Sequence, residues 1–170
     1  LGVPGLNVLA PSAIGDPGEL LYRAITETED PLLFVENKLL YLLPVRDSTS
    51  LDEFSAQSTA DQDTPPAPSY NLTIQGAPPA ELTIACYGYM AELARQAMLR
   101  LAYEHEIFTE LVVLTRLTPV NAQPVIASAS HTAHLLCVEE GTLTLGWGSE
   151  LLARCSEVLG SRLHQARRLA

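Results

Sequence analysis

Apolar residues along this chain fall into short blocks whose spacing alternates between strand-like and helix-like. Residues 6–10 form a brief apolar run. Asp16-Pro17-Gly18-Glu19 then supplies the N-cap and first-turn proline of a helix start. Leu20, Leu21, Ala24 and Ile25 follow at helical spacing, Asp30-Pro31 ends the helix, and residues 32–35 read as a buried parallel strand. Further on, Leu82, Ile84 and Cys86 alternate with Thr83 and Ala85, which predicts a strand over 81–87 closing at Gly88. A helix is predicted over 90–104, with Met90, Leu93, Ala94, Ala97 and Leu101 on its apolar face. Glu92, Arg95, Gln96 and Arg100 lie opposite. A strand over 108–114, a turn at Thr118-Pro119, a helix over 121–129 capped by Asn121, a strand over 134–139 and an amphipathic helix over 149–159 complete the pattern.

Apolar strands separated by helices predict an α/β fold, a three-layer α/β/α arrangement on a mostly parallel sheet. Between the two patterned stretches the texture changes. Residues 46–79 are rich in Ser, Thr, Asp, Gln and Ala and hold five of the twelve prolines. That composition predicts an interdomain linker, partly disordered, with residues 70–74 touching down as an extended segment. The expected division is therefore residues 1–45, a linker over 46–79, and a second unit over 80–170.

Charge and cysteine usage narrow the function classes. Twenty acidic against ten basic residues leave a formal net charge of −10. That balance opposes nucleic acid and anionic membranes as partners. Arg162, Arg167 and Arg168 read as a short basic finish, too few for a nucleic-acid footprint. No run approaches the roughly 18–20 apolar residues of a membrane span. The three cysteines, Cys86, Cys137 and Cys155, have no close pairing, and the first two sit in apolar runs. A reduced, cytoplasmic protein is expected.

Several short motifs occur in a telling order. Pro4-Gly5-Leu6-Asn7-Val8-Leu9-Ala10-Pro11-Ser12 precedes the first helix, and Asp30-Pro31 through Glu36-Asn37-Lys38-Leu39-Leu40-Tyr41 follows it. Thr83 to Gly88, Leu114-Thr115-Arg116-Leu117-Thr118-Pro119, Cys137-Val138-Glu139-Glu140-Gly141 and Gly146-Trp147-Gly148-Ser149-Glu150 come later. Together they resemble the β subunit of thiamine-diphosphate-dependent 2-oxo acid dehydrogenases, the E1 component. Its patterns are P-G-L-x-V-x-x-P-S, D-P-V-x-E-x-K-x-L-Y, L-R-T-L-x-P and V-E-E-G ahead of G-G-[FW]-G-x-E. Val113 stands where that family has an acidic residue, Thr115 and Arg116 exchange its Arg and Thr, and Leu145 replaces a glycine.

The resemblance implies a transketolase-type C-terminal domain over 80–170, preceded by the incomplete end of a pyrimidine-binding α/β domain. It implies oxidative decarboxylation of a 2-oxo acid, with acyl transfer to a lipoyl carrier. Thiamine diphosphate and Mg²⁺ are the full enzyme's cofactors. Their catalytic and diphosphate residues lie upstream or in the partner subunit, so this chain is expected to be structural, a divergent member cut at both ends and stopping before the Arg-Val strand. Implied partners are the E1 α subunit, a second β chain and the dihydrolipoyl acyltransferase. The resemblance also implies a structural potassium ion held by backbone carbonyls at Ala24, Ile25, Glu27 and Glu29, against the plainer reading of an ordinary helix end. A transketolase or deoxyxylulose-phosphate synthase fragment, or a non-catalytic interaction module, are the competing readings.

Other candidate chemistry is weaker. His131-x-x-His134 has no Cys or carboxylate at ligand spacing, so a solvent-facing pair is expected. Glu139 and Glu140 are adjacent on a strand and should face opposite ways. Gly146-Trp147-Gly148 before a helix suits either an anion cradle or a tight turn, the turn being favoured. The serines lack a G-x-S-x-G elbow, and Asn71-Leu72-Thr73 is read as a chance glycosylation sequon.

Overall fold

The computed structural model describes residues 2–46, 51–61, 63 and 65–170. It holds two sheets. The smaller, in the order β2-β1-β7, comprises β1 (Asn7–Leu9), β2 (Leu32–Phe34) and β7 (Arg116–Thr118). The larger, in the order β3-β4-β6-β5-β8-β9, comprises β3 (Phe54–Thr59), β4 (Ser69–Ile74), β5 (Leu82–Cys86), β6 (Thr109–Val113), β8 (His134–Val138) and β9 (Gln165–Leu169). Strands β6, β5, β8 and β9 are mutually parallel, while β3 and β4 run antiparallel along one side.

Helices cover both faces of the larger sheet, as β-strand alternation requires. Ile84, Cys86, Leu111 and Val113 face α2 (Met90–His105) through Ala91, Ala94 and Met98. Ala85, Val112, Leu135 and Cys137 face α3 (Gln123–Thr132) and α4 (Trp147–Leu159) through Val125, Ala129, Leu151 and Cys155. The three-layer α/β/α expectation is met. In the smaller sheet, α1 (Pro17–Thr26) packs Leu20 and Ala24 against Leu9. Asp16 caps α1 by accepting the Glu19 N–H at 2.9 Å, with Pro17 in the first turn.

Four expectations need correction. The 46–79 segment is not a bare linker: the extended stretch expected over 70–74 is β4, and it pairs over six positions with β3, which was not expected. Residues 47–50, 62 and 64 of that segment lie outside the described residues. Composition masked a short apolar pattern, since Leu51, Phe54, Tyr70 and Leu72 are all buried against the α2 side of the core. Tyr70 and Leu72 have β6 as their neighbour on the other side, through the pairs with Val113 and Leu111.

The second correction concerns the chain's basic finish. Residues 165–169 are a strand, β9, parallel to β8, with Arg167 and Arg168 opposite Leu136 and Cys137. The third concerns β7, which joins the first sheet by pairing antiparallel with β1, so the two halves share a sheet. The last is the face of α2. Leu93 is exposed, whereas Glu92, placed by periodicity on the wet side, is buried. Arg95 donates to it at 2.8 Å, Gln96 at 2.9 Å, and Arg46 approaches to 3.9 Å. Burial pushes the Glu92 carboxyl up, but the hydrogen bonds from Arg95 and Gln96 outweigh it and hold the group below the ordinary carboxylate range.

If the 46–79 segment is part of the core, Leu72→Ala should cost about 2–5 kcal/mol. Urea unfolding measures this. A loss below about 1 kcal/mol would return the segment to linker status.

Candidate functional site

In a sheet of order β6-β5-β8-β9, β5 connects to β6 on one side while β8 lies on the other. The strand order therefore reverses at β5/β8, and open α/β sheets bind ligands outside the carboxyl ends of strands at such a point. Here those ends are Tyr87-Gly88 after β5 and Glu139-Glu140 after β8.

Gly88 turns the chain from β5 into α2 at φ +57°, a conformation glycine adopts freely. Tyr87 is left at the strand's mouth. Its hydroxyl donates to the Glu140 carbonyl at 3.1 Å, and its ring meets Trp147 edge-on at 5.0 Å and 80°. Burial, then the charges of Glu139 and Glu140, push the Tyr87 phenol up, so it stays neutral and a donor. The Glu140 carboxylate accepts from Asn37 Nδ2, and the same Asn37 caps the 3₁₀ turn of Lys38–Leu42 by accepting the Leu39 N–H at 2.8 Å. Tyr41 donates to Glu36 at 2.6 Å. The result is a cleft of about 730 Å³, walled by Leu6, Val8, Leu33, Val35, Leu39 and Leu117 and edged by Glu36, Lys38, Tyr87 and Glu140. The E-x-K-x-L-Y run and the E-E-G run thus meet across one cleft, which their separation in sequence did not reveal.

Glu139 points the other way, as adjacency on a strand demands. It is buried and accepts the Gly148 N–H at 3.0 Å through Oε1. The anion at the start of α4 is therefore the chain's own carboxylate, which suits the positive end of a helix. A Cβ at Gly146 would meet the Thr142 carbonyl and sit 2.6 Å from Glu139 Oε1; at Gly148 it would lie 2.9 Å from the same oxygen. The glycines of Gly146-Trp147-Gly148 make room for Glu139, and the tight-turn reading gains its reason.

Arg116, noted in the sequence only as half of an exchanged pair, is 2% exposed and bound on three sides. Its Nε meets Asp61 at 2.8 Å, one terminal nitrogen donates to Asn7 Oδ1 at 2.9 Å, and the other donates to the Pro65 carbonyl. Asp61 also accepts the Ala67 N–H at 2.8 Å. The available signal was an Arg amid the apolar residues 111–117, which had to find a carboxylate somewhere.

The remaining candidates fall away from this centre. His134 approaches His164 (ring centroids 6.0 Å) and the Glu81 carbonyl (3.0 Å), not His131. Among the described residues no group of three or more His, Cys, Asp or Glu is placed to hold a metal ion. That donor set does not suit Mg²⁺, so no step through thiamine diphosphate is derived from these residues. Ala24, Ile25, Glu27 and Glu29 lie at the carboxyl end of α1 and just after it, and none of them lines the cleft. Ala24 is buried and Ile25 exposed, and Glu27 pairs with Arg23 at 2.9 Å while its N–H bonds the Arg23 carbonyl. The Ala24 and Ile25 carbonyls belong to the last turn, where intrahelical donors run out. No described helix is long and apolar enough to cross a membrane.

This fold and its strand-end motifs define a transketolase-type α/β unit, and comparison with known proteins agrees. Residues 75–170 match the family described as "Transketolase, C-terminal domain", and the chain belongs to that family. It is also 31% identical over 164 residues to the 2-oxoisovalerate dehydrogenase subunit beta of Pseudomonas aeruginosa. It is 30% identical over 156 residues to the mitochondrial pyruvate dehydrogenase E1 component subunit beta of Drosophila melanogaster, and 32% over 157 to subunit beta-1 of Arabidopsis thaliana. These alignments cover 91% of this chain but only 44%, 39% and 39% of the three relatives, so the chain spans about two fifths of their length. A solved structure titled "Split gene transketolase, inactive beta4 tetramer" shares the fold, with TM-score 0.60 and 18% identity over 98% of this chain and 48% of that one.

Two predictions follow from the site's packing. Gly146→Ala should destabilise by about 1–3 kcal/mol in urea unfolding, because its methyl displaces Glu139 or the Thr142 carbonyl. A neutral outcome would refute the close approach. Burial pushes all three thiols up, Cys155 to about 11. Ellman's reagent at pH 8 should therefore react slowly with the folded chain and fully with three thiols in guanidinium. Because the folded thiols hold protons more tightly, their contribution is complete below the ordinary thiol range and is lost as pH climbs toward 11. Three fast thiols in the folded state would contradict this.

Proposed function

We propose that this chain is the C-terminal portion of a 2-oxo acid dehydrogenase E1 β subunit, supplying sheet core and subunit contact rather than the catalytic groups. The observation that carries the reading is the joint placement of the E-x-K-x-L-Y and E-E-G runs around one cleft at the β5/β8 strand ends. Similarity to E1 β subunits across 91% of the chain supports it. In the whole enzyme the reaction is oxidative decarboxylation of a 2-oxo acid with acyl transfer to a lipoyl carrier. Thiamine diphosphate and Mg²⁺ are held by residues that this sequence does not contain.

Exposed apolar side chains at Leu33, Val35, Leu39, Leu42 and Val45 support a surface covered by further protein. The partners proposed are the E1 α subunit, a second β chain and the acyltransferase core. Residues 1–45 are proposed to continue a pyrimidine-binding domain and 80–170 to form the transketolase-type domain, with β3 and β4 added to its sheet. The cell compartment is proposed as cytoplasmic, although the fly and plant relatives are named mitochondrial. A potassium ion at the Ala24, Ile25, Glu27 and Glu29 carbonyls completes the proposal.

Titration calorimetry of the chain with thiamine diphosphate and Mg²⁺ should show no saturable heat, and saturable micromolar binding would overturn the structural role. For the ion, KCl should raise the melting temperature above that in equimolar tetramethylammonium chloride; equal melting temperatures would remove it.

A further inference from the structure

The larger sheet ends in two edges that are built differently. One edge, β9, carries Arg167 and Arg168, and charge of that kind keeps other strands from adding to it. The other, β3, reads Phe54-Ser55-Ala56-Gln57-Ser58-Thr59, with no charge, no proline and six regular pairs to β4. Ser55, Gln57, Ser58 and Thr59 are exposed. The N–H of Gln75 donates to the Glu53 carbonyl at 2.9 Å, so the Glu53 backbone faces β4. Alternation along the strand turns the backbone groups of Ser55, Gln57 and Thr59 the same way. Those of Phe54, Ala56 and Ser58 therefore point to the open side. Phe54 is satisfied there: its N–H donates to the Leu51 carbonyl at 2.7 Å, and its carbonyl accepts from the Gln75 side chain at 3.3 Å. Ala56 and Ser58 have no partner on that side among the described residues. Unpaired strand groups of this kind are a template for a further strand.

Charge at the two ends of β3 selects that strand. Asp52 and Glu53 are exposed at its start, and neither has an ion-pair partner among the described residues. Beyond its end, Asp61 and Asp63 share the single Arg116, at 2.8 and 3.8 Å. An antiparallel second copy of β3 would bring its own Asp61 and Asp63 beside Asp52 and Glu53, like charge on like charge. We propose that the open edge of β3 takes an extended segment of a partner protein, uncharged in its middle and basic at both ends, as a seventh strand. The backbone of that segment pairs with Ala56 and Ser58. Its flanking Lys or Arg side chains meet Asp52 and Glu53 at one end and Asp63 at the other. The chain's net charge of −10 draws a partner of the same basic character. None of this rests on the E1 β reading.

The probe is a capped peptide of three Thr-Val repeats with two lysines at each end, added to the full 170-residue chain. Amide hydrogen exchange is followed residue by residue by NMR. In the free chain the Ala56 and Ser58 amides should exchange quickly, and those of Ser55 and Gln57, bonded to β4, slowly. Saturating peptide should slow exchange at Ala56 and Ser58 by roughly tenfold or more. Replacing the lysines by glutamates, or N-methylating the central amides, should each weaken binding by roughly tenfold or more. Ser58→Pro removes only an outward N–H, which an edge strand tolerates. It should weaken the peptide while Ser55 and Gln57 stay protected. Unchanged exchange at Ala56 and Ser58 would overturn the proposal. Equal binding of the glutamate or N-methylated peptide, or equal binding to Ser58→Pro, would overturn it as well. Slow exchange at both amides before any peptide is added would also contradict it, and a dimer in sedimentation would then give the edge to a second copy.

Discussion

A buried guanidinium ties together three segments of this chain that lie far apart in sequence. Arg116 is almost wholly out of water and bonds Asp61, Asn7 and the Pro65 carbonyl, thus joining β1, the connection between β3 and β4, and β7. A buried cation is tolerable only when its donors are satisfied, and removing one partner strands the other in a poor solvent. The geometry of the β5/β8 cleft depends on this contact, because Leu6 and Val8 line its wall from β1 and Leu117 lines it from β7.

Glu139 plays the complementary part at the far side of the sheet. Its carboxylate sits where the first N–H groups of α4 would otherwise lack acceptors, and two glycines give it space. Once α4 starts there, Trp147 is set against Tyr87, and this aromatic pair separates two clefts of different character. One has a charged rim built from Glu36, Lys38 and Glu140. The other is apolar, walled by Val3, Pro119, Val120 and Leu145, and its ion pair of Arg154 with Glu150 is closed on itself.

Much of this was legible in advance where local spacing decides structure. The strands β5, β6 and β8, the capped start of α1 and the opposed directions of Glu139 and Glu140 all follow from alternation and capping chemistry. What stayed hidden depends on distant partners. Residues 70–74 read as an extended segment and are β4, but their pairing with β6 through Val113 and Leu111 was not visible, and Phe54 is too isolated among Ser, Thr and Asp to announce β3, which forms against β4. Glu92 looks like a solvated helix residue until Arg46, Arg95 and Gln96 close around it. The basic finish became β9 because β8 needed a neighbour, and no local pattern encodes that need. Of the candidate site, the motif residues were visible, but their meeting through Asn37 and Glu140 was not.

The most direct test of this account is a double-mutant cycle on Arg116 and Asp61, followed by urea unfolding of Arg116→Met, Asp61→Leu and the pair. Each single change should cost about 3–5 kcal/mol, and the double change should recover part of it, with a coupling of about 1–3 kcal/mol. Effects that simply add, to within about 0.5 kcal/mol, would show that this ion pair does not tie β7 to the connection between β3 and β4.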